Sequence, residues 1–191
     1  MGTISVNRLG GLSLIIGPIV AVVCYLLQPG SGLVGGTVDP ADGAASIGAL
    51  LANADMASLS YSLAPIGLIV FLYGINVLVG SLKGGNGEAL AQYGSLLFLL
   101  ALVGWIATSA CALLISGGNA GAGAGTVYAL SLGIGLSSGV LASLGLLAIS
   151  LAISTRDGAN KPFALAVAAA AAASLVAGVM SGQDLSFLQT A

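Results

Sequence analysis

Residues 89–116 read ALAQYGSLLFLLALVGWIATSACALLIS, a run of 28 without one Asp, Glu, Lys, Arg or Pro. A bilayer's hydrocarbon core is about 30 Å thick, and about 20 helical residues cross it. The run is long enough to span with turns to spare. Its apolar residues are continuous. A barrel strand would instead alternate apolar and polar residues over about ten positions.

Four further runs flank it. Residues 9–27 are closed by Gln28-Pro29-Gly30, and residues 59–82 by Lys83-Gly84-Gly85-Asn86-Gly87. Residues 126–154 follow a Gly/Ala-rich stretch and end in a polar turn from Thr155 to Lys161. Residues 162–180 open with Pro162, a favoured first helical residue. This last run is mostly Ala, so its insertion is expected to depend on helices already in place; the alternative is a helix lying on the membrane surface.

Composition agrees with the runs. The 191-residue chain is 58% hydrophobic and 5% charged, against about 25% charged in soluble domains. Four Lys/Arg and six Asp/Glu cannot build a water-soluble surface of this size. In lipid every backbone polar group must be satisfied internally, which leaves helices once barrels are excluded. The expected fold is an all-α integral membrane bundle of about five transmembrane helices, forming a single transmembrane helical domain over residues 1–191. Membrane lipid and other membrane subunits, or copies of the chain itself, are the expected partners. No basic face exists for nucleic acid.

Processing signals do not alter this expectation. After Met1-Gly2, Val6 stands where myristoylation wants Ser or Thr. Cys24 follows Ala21-Val22-Val23, unlike a lipoprotein cleavage site, so the first run is read as a retained helix.

Arg8, Lys83, Arg156 and Lys161 all fall on one side of a five-span map. The positive-inside tendency makes that side the cytoplasm, with the N-terminus inside, the C-terminus outside and the cell membrane as location. The long connection 28–58 then faces outward. It holds Asp39, Asp42 and Asp55 and no Lys or Arg. Asp39-Pro40 has the form of an N-cap with a first-turn proline. Ala44, Ile47, Leu50 and Leu51 follow at helical spacing, predicting a short amphipathic helix in this loop. Asp55 is a candidate cap for an early start to the second span.

The chemistry available is narrow. There is no His, and no ionisable residue lies near the middle of a span. Metal sites, haem ligation and proton relays usually need such groups. No catalytic residue, metal site or cofactor is expected, and the chain is not expected to be an enzyme. Cys24 and Cys111 share a depth; they pair only if the first and third spans touch, and otherwise are two buried small residues.

Small residues recur every fourth position in the last two spans: Ser131, Gly135, Gly139 and Ser143, then Ala166, Ala170, Ser174, Gly178 and Gly182. Such stripes let helix backbones approach closely. They are expected to face each other as a hairpin or to meet another chain, and Gly139→Leu is expected to destabilise. In the second span Ser62, Pro65 and Asn76 are candidates for a solute path, with Pro65 and Pro18 bending their helices; alternatively Asn76 bonds a neighbouring helix. Trp105 lies near mid-span, and Thr108 is one turn further on the same face. The pair is a candidate ligand or lipid contact, or plain packing against small residues. Tyr25, Tyr61 and Tyr128 fall near one interface and Tyr93 near the other, as aromatic anchors.

The preferred function is a non-catalytic structural or accessory subunit of a membrane assembly. The alternative is a channel or facilitator for a small neutral solute.

Overall fold

The computed structural model describes residues 4–156 and 160–181. It is a helical bundle: α1 Val6–Leu26, α2 Gly43–Ala52, α3 Ala54–Gly80, α4 Glu88–Ser116, α5 Ala124–Ser154 and α6 Lys161–Ser181. Five of these are long and apolar enough to cross a membrane, α2 being the short one. The Ala-rich last run is a full-length α6. Part of the polar turn before it, Asp157 to Ala159, lies outside the described residues, as does Gly182.

Helix starts differ from expectation at two places. The α2 cap is Asp42, whose carboxylate accepts from the Ala45 N–H at 2.9 Å. Asp39 instead accepts from the Ala41 N–H, forming a turn two residues long that leaves Pro40 outside the helix. Asp55 does not cap α3; it sits in the first turn, where a negative charge suits the helix dipole. Both α1 and α3 run without interruption through Pro18 and Pro65. Neither helix is broken at its proline.

Consecutive spans are neighbours: α1 packs on α3, α3 on α4, α4 on α5, and α5 on α6. α2 lies across α3, α4 and α5. The start of α1 meets the end of α3 where Gly10 faces Val77. The Arg156 guanidinium donates to the Ser81 hydroxyl at 3.0 Å, tying the ends of α5 and α3. Arg8, Lys83, Arg156 and Lys161 therefore gather at one end, the basic end. The connection 27–42 and α2 cover the opposite end.

The tight seams use a period of seven. On α1, Gly10, Gly17 and Cys24 are buried; on α3, Ser60, Gly67 and Gly74 are. From the N-cap along α4 the series is Gly87, Gly94 and Ala101, and on α5 it is Ser131, Ser138, Gly145 and Ala152. A seven-residue step returns a helical position to within about 20°, whereas a four-residue step moves it about 40° around. Small residues at spacing seven therefore hold one seam along the helix. A Cβ added at Gly94 would lie 2.6 Å from the Gly145 carbonyl oxygen, and one at Gly145 would lie 2.7 Å from that of Gly94. In each case a glycine Cα–H occupies the space, close enough for a weak C–H···O contact.

The spacing-four stripes do not face each other. From Ser131 the series rotates by about 120° over three steps. Ser131 is buried, Gly135 meets only Thr108, and a Cβ at Gly139 would touch nothing within 4 Å. α6 does return along α5, but on Ala164, Ala168 and Ala171, with Gly178 near Val140. Ala166, Ala170 and Ser174 point away from α5 and are exposed within this chain, and Ser143 is half-buried.

Candidate functional site

The interior is filled unevenly. Toward the basic end Ile75, Val79, Leu82, Ala91, Phe98, Ala101, Ala142, Ile149 and Ala152 form a closed core. Phe98 is central to it, edge-on to Phe71 at 5.2 Å between ring centroids and to Trp105 at 6.2 Å. Toward the other end a smaller cluster of Leu50, Ala57 and Ile115 seats α2. Between the two clusters lies a cavity of about 430 Å³.

Four spans and the covering loop build its walls. α1 contributes Ala21 and Tyr25, α3 Tyr61, Ala64 and Leu68, and α5 Tyr128, Ser131, Leu132 and Gly135. α4 contributes Trp105, Thr108, Ser109, Ala112 and Ile115. Trp105 stands next to Phe98 of the closed core, so the cavity ends there rather than running through the bundle. Its far side is roofed by Gln28 to Ser31, Val38, Pro40, Ser46 and Leu50. α1 and α5 line it from different sides and are not one of the closely packed helix pairs.

The roof owes its shape to glycine. Gly30 has φ +87°, a conformation that side chains with a Cβ seldom adopt. That turn lets the Gly30 N–H donate to the Val34 carbonyl at 2.9 Å and its carbonyl accept from the Val38 N–H at 3.0 Å. The Ser31 hydroxyl donates to the Leu26 carbonyl at 2.7 Å, closing the end of α1. The Tyr128 hydroxyl donates to the Pro40 carbonyl at 3.0 Å, pinning the loop to α5. The loop is thereby a fitted cover.

No side chain lining the cavity carries a formal charge at neutral pH. Its polar groups fall into two sets. Thr108 donates to the Gly104 carbonyl at 3.1 Å and approaches the Ser131 carbonyl at 3.3 Å, and the Ser131 hydroxyl donates to the Tyr128 carbonyl at 2.7 Å. Only the Thr108 to Ser131 contact crosses from α4 to α5; the other two bonds return to each residue's own helix. The hydroxyls of Tyr25, Tyr61 and Ser109 and the side-chain amide of Gln28 have no hydrogen-bond partner among the described residues, and of these Ser109 is the most buried, at 8% exposed. Among the described residues no sealed side-chain oxygen or nitrogen lacks a partner, so the Ser109 hydroxyl is left over because it opens onto the cavity.

Trp105 and Thr108 thus share one wall of one cavity, and Trp105 also packs against the core cluster that contains Phe98, Ala101 and Ala142. Three of the tyrosines read as interface anchors, Tyr25, Tyr61 and Tyr128, converge on the same space. Ser62, Pro65 and Asn76 are not among its lining residues. Asn76 accepts from the Ser95 hydroxyl of α4 at 2.8 Å, the helix-bridging alternative. Cys24 and Cys111 are both free thiols, and their helices, α1 and α4, are not a packed pair. Among the described residues no three His, Cys, Asp or Glu side chains are placed to hold a metal ion.

The cavity itself was missed in the sequence. Its signal was the set Tyr25, Tyr61, Trp105 and Tyr128, four large rings in the halves of four spans that face away from the basic end. No family model, curated protein or solved structure matches the chain.

Proposed function

We propose that the chain is a non-catalytic accessory subunit of a membrane assembly. The observation that carries this reading is the outer face of α6. There Ala166, Ala170, Ala173, Ser174 and Ala177 form an exposed strip, flanked by exposed Phe163, Leu165, Val176 and Met180. On α1 the exposed positions include Leu12, Ile15, Ile16, Ile19, Val22 and Val23, branched side chains that suit lipid tails. A smooth Ala/Ser face instead suits the backbone of another helix, because close packing drives association in lipid. The charged residues also support it: every described Asp, Glu, Lys and Arg lies in a loop or within a turn of a helix end.

Purification of the full chain from its native membrane in mild detergent, with mass identification of co-purifying chains, tests the reading. A stoichiometric partner or a defined homo-oligomer is expected. Ala170→Leu, whose side chain points away from α5, should release that partner and leave the melting temperature of the isolated chain within about 2 °C of the parent. A chain that is monomeric in its native membrane extract would overturn the proposal.

The same reading puts the basic end in the cytoplasm of a cell membrane. A cysteine introduced at Ser46 should then react with an impermeant maleimide in intact cells, and one at Asn86 only after the cells are opened. Labelling of the Asn86 position in intact cells would reverse the orientation.

A further inference from the structure

The cavity holds polar capacity that the fold does not use. Ser109 is buried, unbonded and opens onto it, and the Tyr61 hydroxyl is unbonded on the same wall system. The two are level with each other. The Ser95 to Asn76 hydrogen bond fixes the antiparallel register of α4 and α3. Ser109 is fourteen residues beyond Ser95, and Tyr61 is fifteen before Asn76. At about 1.5 Å per residue both lie about 21 Å from that bond in the same direction. Neither hydroxyl is sealed; both face the cavity, where a ligand's acceptor can take their hydrogen bonds in place of water.

The remaining walls restrict what that something is. No lining residue is charged, so an ionic head would lose its hydration with no counter-charge to replace it. Ala64, Leu68, Ala112, Ile115 and Leu132 offer hydrocarbon surface. A volume of about 430 Å³ lies within the roughly 300–1,000 Å³ of small-molecule sites. We propose that this cavity binds an uncharged amphiphile: a carbonyl-bearing head accepts hydrogen bonds from Ser109 and Tyr61, and its hydrocarbon remainder extends between α1 and α5. The head is a ring carbonyl or a glyceride ester; both present the same acceptor. This inference does not depend on the subunit reading, since it concerns the chain alone.

Trp105 is the single tryptophan and lies on the cavity wall, so its fluorescence reports occupancy. The purified full chain is titrated in nanodiscs with a decyl-substituted benzoquinone, whose ring quenches indole emission. In parallel, dioctanoylglycerol is tested as a displacing ligand for the glyceride arm. Saturable quenching is expected. Ser109→Ala and Tyr61→Phe should each raise the apparent Kd about three- to tenfold, the worth of one hydrogen bond, without moving the melting temperature. Gly135→Leu should remove saturation by filling the space; a Cβ there meets only the Thr108 side chain, at 3.7 Å, so the fold accommodates it. Decyl sulfate and decyltrimethylammonium should not displace the quinone. Quenching that rises linearly and equally in parent and variants would show mere partitioning into the bilayer and overturn the proposal. Equal displacement by the charged amphiphiles would overturn it as well.

Discussion

Leucine in place of Gly145 is expected to lower the melting temperature of the purified chain by roughly 6–12 °C. The position lies on the α4–α5 seam, where a Cβ would meet the Gly94 carbonyl oxygen at 2.7 Å and the Phe98 backbone nitrogen at 3.1 Å. Both are backbone atoms of an unbroken helix, so they cannot rotate aside as a side-chain end can. Overpacking typically costs about 1–3 kcal/mol and more where the neighbour cannot yield. About 3 kcal/mol at this chain length corresponds to the stated shift. Gly94→Leu should act alike, because its own Cβ would meet Gly145 at 2.6 Å. The double variant should cost less than the sum, since either change already parts the same seam. Gly139→Leu is the control, and melts within about 2 °C of the parent, for a Cβ there has nothing within 4 Å. Thermal melts of the parent and the four variants in one detergent decide the matter. A parent-like Gly145→Leu, or a Gly139→Leu that falls as far, would show that the close approach is not what holds α4 to α5.

That contrast marks where the sequence was legible and where it was not. The spans could be read because hydrophobicity over some twenty positions is a local property, and lipid allows no other use for residues 89–116. The amphipathic α2 could also be read, since Ile47 and Leu50 recur at helical spacing and do face the bundle. The seams are different. Many small residues in α5 fit both a spacing of four and a spacing of seven, and Ser131 belongs to both series. Only the packing geometry selects between them: two long helices running side by side keep contact through positions that stay on one face, which is the seven-residue repeat. Gly10 with Gly17, Gly67 with Gly74 and Gly87 with Gly94 carry that repeat in plain view. The cavity was less accessible still. It exists because the Phe98 core fills one half of the interior while Ala21, Ala64, Ala112 and Gly135 leave the other half open. No single span contains that information.

The α1–α3 seam should be as sensitive as α4–α5, with a consequence for the cavity. Gly17 lies against the backbone of α3: a Cβ would sit 2.5 Å from the Phe71 nitrogen and 2.7 Å from its Cα. Gly67 and Gly74 return the contact, against Ala21 and the Gly17 carbonyl in one case and Leu14 and the Gly10 carbonyl in the other. Among the described residues α1 has no other extensive contact, so parting this seam is expected to release the helix. Gly17→Leu is therefore expected to loosen α1 while leaving α3 to α6 packed. Cys24 reports on it directly. Its thiol is 4% exposed and lies one seven-residue step beyond Gly17 on the same face. At about 1–3 kcal/mol of seam stability lost, its alkylation by N-ethylmaleimide, followed peptide by peptide, should accelerate about ten- to hundredfold. Cys111, on α4, should keep its parent rate. Gly11→Leu, where a Cβ has nothing within 4 Å, should leave both thiols unchanged. Because Ala21 and Tyr25 form the α1 wall of the cavity, Gly17→Leu should also weaken the saturable quenching of Trp105, which Gly11→Leu should not. Parent-like Cys24 reactivity in Gly17→Leu would mean that α1 is held by something other than this seam.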